Sequence, residues 1–312
     1  MTATDATLPV TATQTGYERA VSALFRLYPL LTGCASLANG ALSRRFIPLR
    51  SRAVWARVGS AWCSAPQNDL VGRTIFLFGD LDRKVTWVID RVVGTGDTVA
   101  DVGANLGVET LILAQRVGAG GRVISFEPSP PTLVHLERTI ARNPGLPITL
   151  HKVALGAEPA ELDLSVPISN AGRATFHHLT TEAGVKVFKV KVETLASVLN
   201  TAGAPRLALL KLDVEGFEAL VLQGLFGPGT VVPPATVLLE EHSPADSPAF
   251  RLLKAQGYRL FGLPRQFMRL VLVAEGAAGF TACGDFVAVH DTAPASVTRA
   301  LAVELPTAGH AD

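Results

Sequence analysis

The sequence predicts an α/β protein built on a mostly parallel, doubly wound sheet, and three observations carry that expectation. From Thr98 onward, short apolar runs alternate with helix-like stretches over brief connections, the order that a parallel sheet with crossover helices requires. Acidic residues stand where three of those runs end, at Asp101, Glu127 and Asp213. Two glycines, Gly103 and Gly107, frame the turn between the first of these strands and its helix. In open α/β sheets, ligands bind outside the carboxyl ends of the strands, where glycine lets backbone come close.

Taken in order, residues 1–15 lack hydrophobic periodicity and are expected to be disordered. Residues 16–70 are expected to form a helical amino-terminal extension. Ala20, Leu24, Tyr28 and Leu31 recur at helical spacing, and Ala53, Trp55, Val58 and Trp62 suggest a second helical stretch. Arg44, Arg45, Arg50, Arg52 and Arg57 read as a solvated basic face. The main domain is expected over 71–290. It opens with a strand at Val71–Phe78 and a helix at Lys84–Val93, followed by strand Thr98–Val102 and a helix from Leu106 to Val117. Strand Val123–Phe126, helix Pro130–Arg142 and strand Ile148–Val153 come next, with proline at a first-turn position where a helix tolerates it.

The alternation then pauses. Glu161–Val166, Ala174–Leu179 and Val185–Val192 read as three short strands of a small antiparallel insertion over about residues 157–192. It resumes with helix Glu193–Leu199, strand Leu207–Leu212, helix Gly216–Phe226, strand Thr236–Glu241 and helix Ser247–Gln256. Tyr258–Leu263 and Asp285–His290 supply two last strands, and 291–312 reads as a loose tail with one short helical piece.

Composition bounds the function. Of 312 residues, 48% are hydrophobic, enough for a sizeable core, and a net charge of +1 gives no electrostatic reason to expect nucleic acid as a partner. Cys34, Cys63 and Cys283 are widely spaced and odd in number, which suggests neither a disulfide scaffold nor a zinc site. The apolar stretch at 17–45 is interrupted by Arg26 and Pro29, short of the ~20 residues that cross a bilayer. The amino terminus lacks the positive start of a signal peptide, so the expectation is a soluble, cytoplasmic protein without an integral membrane segment.

The turn after the first core strand has the spacing G-x-x-x-G, with Asn105 where a dinucleotide fingerprint has its second glycine. That departure tells against a pyrophosphate and favours a nucleoside ligand without phosphates, such as S-adenosylmethionine. Glu127, 20 residues after Gly107, stands where an acid accepts hydrogen bonds from ribose hydroxyls. Asp213, Glu215 and Glu218 put three carboxylates within six residues beside the same crevice, and Gly216 allows a sharp turn into the next helix. Such acids raise one another's pKa, which suits a general base, and they could also hold a divalent cation. Strand periodicity puts Glu240 and His242 on one face, a carboxylate beside an imidazole that could accept a proton or complete a metal site. His177 and His178 read as polar strand residues of the insertion.

With these segments in order, the chain resembles the FkbM-type family of S-adenosylmethionine-dependent methyltransferases. The matching pieces are Asp101-Val-Gly-Ala-Asn-Leu-Gly107, Gly121-Arg-Val-Ile-Ser-Phe-Glu-Pro128, Asn143, Ala154-Leu-Gly156, Asn170-x-Gly172, Lys211-Leu-Asp-Val-Glu-Gly-Phe-Glu218 and Glu240-x-His242. The resemblance implies a class I methyltransferase (Rossmann-like) sheet and methyl transfer to an oxygen of a sugar, glycan or small metabolite. It implies that Asp101, Gly103, Asn105 and Gly107 shape the cofactor site, that Glu127 holds its ribose and that Ala154 lies near the adenine. The catalytic candidates are Asp213 or His242 for proton removal, with Glu215 and Glu240 orienting the acceptor or a cation. Thr139 stands where the family often has a first asparagine, and Ala196 replaces an aspartate before the fourth core strand, which leaves details of loop anchoring open. Three rivals remain at this stage: a nicotinamide-dependent oxidoreductase, a catalytically silent cofactor-binding protein, and a methyltransferase acting on protein or nucleic acid.

Overall fold

The protein is described by a computed structural model covering residues 11–167, 176, 184–204, 206–227, 231–266 and 268–304. Its centre is an eight-stranded sheet. The strands, numbered in chain order through the molecule, are β3 (Thr98–Val102), β4 (Arg122–Phe126), β5 (Ile148–His151), β9 (Leu209–Leu212), β10 (Thr236–Glu240), β11 (Tyr258–Leu263), β12 (Val273–Ala274) and β13 (Asp285–His290). Their spatial order is β12-β11-β13-β10-β9-β3-β4-β5. The five strands from β10 to β5 run parallel, whereas β13 inserts antiparallel between β10 and β11. This is the class I methyltransferase arrangement that the sequence implies.

The core strands are apolar along nearly their whole length because both faces are covered. Alternate residues feed two cores. Ala100, Val102, Leu210, Leu212, Val237 and Leu239 pack with α8 (Leu195–Thr201), α9 (Glu218–Phe226) and α10 (Pro248–Ala255). Val99, Val123, Leu209, Leu238 and Val287 pack on the other face with α5 (Arg83–Val92), α6 (Val108–Val117) and α11 (Ala295–Leu301). The remaining core helix, α7 (Pro130–Arg142), links β4 to β5.

The amino-terminal region departs from the all-helical expectation. Three short helices are present, α1 (Gly16–Arg26), α2 (Cys34–Asn39) and α3 (Ala41–Phe46), but Ala53–Trp62 is a hairpin of β1 (Ala53–Val58) and β2 (Ala61–Pro66). The turn at Gly59–Ser60, flanked by Val58 and Ala61, is a hairpin signal that the helical count overrode. Conversely, the run read as a strand is the helix α4 (Leu70–Phe78). Asp69 caps it by accepting from Gly72 N at 2.8 Å, and Gly79 at φ +70 ends it. It is buried nearly all round, so it shows no amphipathic stripe. Its Arg73 is completely buried and donates to the carbonyls of Ala38 and Ile47, tying α2 and the end of α3 to the helix.

Residues 11–15 are packed: Thr11 Oγ1 bonds Ser64 Oγ at 2.8 Å and Ala12 forms a bridge with Val54. Residues 1–10 lie outside the described ones. In the insertion, β7 (Ala160–Pro167) and β8 (Val185–Glu193) pair antiparallel as expected. The third strand of that sheet is β6 (Ala154–Leu155), which pairs parallel to β8. The expected strand at Ala174–Leu179, the Asn170-x-Gly172 motif, and His177 and His178 lie outside the described residues, Phe176 excepted.

Candidate active site

The sheet changes direction at β3, which has β4 on one side and β9 on the other. The loops leaving β3 and β9 therefore part at their carboxyl ends and open a crevice. Gly103 makes that geometry feasible. It sits at φ +82, and a Cβ there would lie 1.8 Å from the carbonyl oxygen of Asp213. No side chain fits between the two loops. The β3 loop is pinned on its other side by the amides of Gly103 and Ala104, which donate to Phe126 O at 3.1 and 2.9 Å. Asn105 follows at φ 50, a left-handed conformation that asparagine tolerates better than most side chains. Gly107, at φ +93, lets Leu136 approach the turn.

The crevice holds a cavity of about 240 Å³. One wall is apolar, from Phe126, Val153, Leu155, Leu164 and Phe176, the last packed against Phe217 with ring centroids 4.6 Å apart. The other is acidic, from Glu127, Asp213, Glu215 and Glu240, and no lysine or arginine is among the described residues lining it. Glu215 holds a positive φ of 50, a conformation uncommon for glutamate and concentrated, like that of Asn105, at the cavity.

Glu127 is 6% exposed; its carboxylate accepts from Asn105 N at 2.9 Å and Ser129 N at 2.8 Å. Burial pushes its pKa up to about 7 despite those two donors. Glu240 rises to about 7 as well, through burial and then the neighbouring charges of Asp213 and Asp285. Ala154 lines the cavity beside Leu155. Glu218 turns away to accept from the amides of Val214 and Gly216, fastening the β9 loop to the first turn of α9.

Gly103, Asn105, Glu127, Ala154, Asp213, Glu215 and Glu240 are thus brought together, and three other candidates are placed differently. Asp101 is fully buried and does not line the cavity. The period of two along β3 turns it to the α6 face, where Thr110 Oγ1 donates to it at 2.5 Å and Lys211 Nζ stands 3.2 Å away. Gly107 supports the turn from outside the lining. His242 lies beyond the end of β10 with its side chain 72% exposed, Nε2 being 3.8 Å from Glu240. The strand ends before the periodicity can carry the imidazole into the cavity.

Two buried residues with no role in the sequence reading lie beside this cavity, outside its lining. Lys211, opposite Asp101 in the β3–β9 register, bonds Gly103 O at 3.1 Å and stands 3.6 Å from Asp213. Burial alone would depress its pKa, but Asp101, Asp213 and Glu109 outweigh burial and hold it firmly charged. A lysine inside the apolar run Leu209–Leu212 was the available signal. Glu109, in the first turn of α6, is 6% exposed, and burial raises its pKa to about 7. Acids are ordinary at helix starts, so nothing in the sequence marked it. Among the described residues, no three His, Cys, Asp or Glu side chains are placed to hold a metal ion together.

The model of the methyltransferase FkbM domain matches residues 101–260. Hexuronic acid methyltransferase AglP of Haloferax volcanii is 29% identical over 129 residues, covering 41% of this chain and 50% of that protein. Methyltransferase 1 of Beauveria bassiana is 27% identical over 144 residues, 41% of this chain and 57% of that protein. The chain therefore spans about half the length of the curated relatives it matches. Among solved structures, an O-methyltransferase from Bacillus cereus in complex with SAH aligns at a TM-score of 0.38 and 11% identity, covering 66% of this chain and 79% of that one.

Proposed function

The chain belongs to the FkbM methyltransferase family, whose methyl donor is S-adenosylmethionine, and from that premise we propose that it methylates a hydroxyl oxygen of a sugar, glycan or small metabolite. The observation that carries the reading is the lining of the cavity at the switch point. Four carboxylates, with no lysine or arginine among the described lining residues, suit a cationic donor and would repel the pyrophosphate of a dinucleotide. A sugar-type acceptor is supported by the name of the haloarchaeal relative.

The residues present fit the donor. Glu127, buried at the end of β4, can accept from ribose hydroxyls with lone pairs its two amide donors leave free. The apolar wall beside Ala154 and Phe126 suits an adenine ring. When bound, S-adenosylmethionine supplies a methyl group already activated by its positive sulfur. The protein's task is then to align an acceptor oxygen with that carbon and remove its proton. A C–O bond forms as the C–S bond breaks, the electron pair stays on sulfur, and the hydroxyl proton passes to a carboxylate. Glu240 is the base in this reading, because its pKa near 7 matches neutral operation and it faces the cavity. Asp213 and Glu215 orient the acceptor, and exposed His242 exchanges the proton of Glu240 with solvent.

Calorimetry and thermal unfolding test this directly. S-adenosylmethionine should bind and stabilise the protein, its demethylated product should bind more weakly, and NAD should do neither. Glu127→Ala should weaken donor binding by roughly tenfold or more, the loss of hydrogen bonds to a charged group. Radiolabelled donor should then transfer its methyl group within a panel of sugars and small alcohols. Stabilisation by NAD alone would refute the proposal, and donor binding without transfer across the panel would favour the silent-protein reading.

A further inference from the structure

A second cavity, of about 210 Å³, adjoins the first and shares Leu81, Asp213 and Glu240 with it. It lies on the α5–α6 side of the sheet, between Leu81 and Val85 and the ends of β9, β10 and β13. Five acids line it, namely Asp82, Glu109, Asp213, Glu240 and Asp285, against one cation, Lys211. That cation is committed to Asp101, Asp213 and the carbonyl of Gly103. Asp82 and Asp285 are paired with Lys84. Glu109 differs from all of these. It is 94% buried in residue terms, being 6% exposed; the charge of Lys211 and its own backbone amide favour its carboxylate, yet among the described residues it makes no ion pair and its side chain bonds no other residue. A buried carboxylate in that condition costs the fold stability unless something enters the cavity to satisfy it.

We propose that this second cavity is the acceptor site, and that it takes a small acceptor offering hydroxyl or ammonium hydrogen-bond donors to Glu109 while rejecting acceptors that carry a carboxylate or phosphate, in contrast to the acidic sugar in the haloarchaeal relative's name. The proposal rests on the methyltransferase reading and deepens it. A shared boundary at Asp213 and Glu240 puts the acceptor beside the methyl donor, with the proposed base between them. An anionic acceptor would bring its charge against Glu109 and Glu240, the two of these acids that no lysine pairs, in a partly desolvated space where like charges are least screened. A hydroxyl or an ammonium group gives Glu109 the donor that the protein withholds. The volume holds one residue-sized group, so a glycan would enter by its end.

The experiment uses the full chain and sets of matched acceptors: neutral methyl glycosides, their amino-sugar counterparts and their uronates. Neutral and amino members should be methylated with kcat/KM roughly tenfold or more above the matching uronates, the scale of one hydrogen bond to a charged group. Glu109→Gln should raise KM for the preferred acceptor by about tenfold, with a smaller change in kcat and an unchanged affinity for S-adenosylmethionine by calorimetry. That unchanged donor affinity also shows that the variant folds. Preference for uronates, or an unaltered KM in Glu109→Gln, would overturn the assignment. Failure of the methyltransferase reading itself would look different, since the wild-type protein would then not bind the donor.

Discussion

At the scale of single residues, the acids around the crevice do different work although they look alike in sequence. Glu127 is clamped by two amides, Asp213 is tethered to Lys211, and Glu240 is pushed up to about 7 by burial and its acidic neighbours. A base acts only when deprotonated, so methyl transfer should rise with pH through about 7 and level off above it. Glu240→Gln should lower kcat on the order of 100-fold and erase that limb of the profile, and it should weaken donor binding by removing one charge from the cavity. A profile unchanged in the variant would assign the limb to another group. Glu127 was legible because its position at a strand end is fixed by topology. Asp101 and His242 were misplaced by one structural step each: the first faces α6, and the second follows the last residue of its strand. Glu109 was illegible, since its meaning depends on what surrounds it in space.

At the scale of elements, the cavity proposed for the donor exists because two loops pass each other with no side chain between them. Gly103→Ala would place a methyl group 1.8 Å from Asp213 O at a φ of +82. It should destabilise the protein by about 2 kcal/mol or more and force the β3 and β9 loops apart, weakening donor binding as well. Thermal unfolding with and without S-adenosylmethionine measures both effects, and an unperturbed variant would mean that the loops have room to separate. The parallel core was readable from its apolar runs, as was the crossover order. The errors cluster before Thr98, where α4 is buried all round and so reads as a strand, and where the β1–β2 hairpin keeps apolar residues at spacings that also fit a helix. Periodicity distinguishes helix from strand only when one face meets water.

At the scale of the whole molecule, the buried acids set how stability responds to pH. Glu109, Glu127 and Glu240 have folded-state pKa values near 7 against an ordinary 4.5, and Asp80 rises to about 6 from 3.8, burial being the leading cause for each. Between those limits the folded protein keeps protons that the unfolded chain releases, so stability falls as pH rises. His135, lowered by burial to about 4, and His290, also lowered chiefly by burial, work in the opposite sense below about pH 6.5. Four raised carboxyls against these two histidines give a Tm higher at pH 5 than at pH 7.5, which scanning fluorimetry across that range would measure. Saturating S-adenosylmethionine should recover much of the loss at pH 7.5. A Tm that climbs with pH would contradict this balance.

The acids of the first cavity bear on how the proposed transfer would begin its next cycle. An acid-lined cavity grips a positively charged sulfur and has far less hold on the neutral thioether that remains after transfer. In the proposed reaction Glu240 takes the acceptor's proton and loses its own charge, and with a pKa near 7 it can return that proton to solvent at neutral pH. Each turnover would then weaken the attraction that assembled the complex, and deprotonation of one glutamate would rebuild it. Discarding the spent donor and recharging the site become two halves of one electrostatic clock.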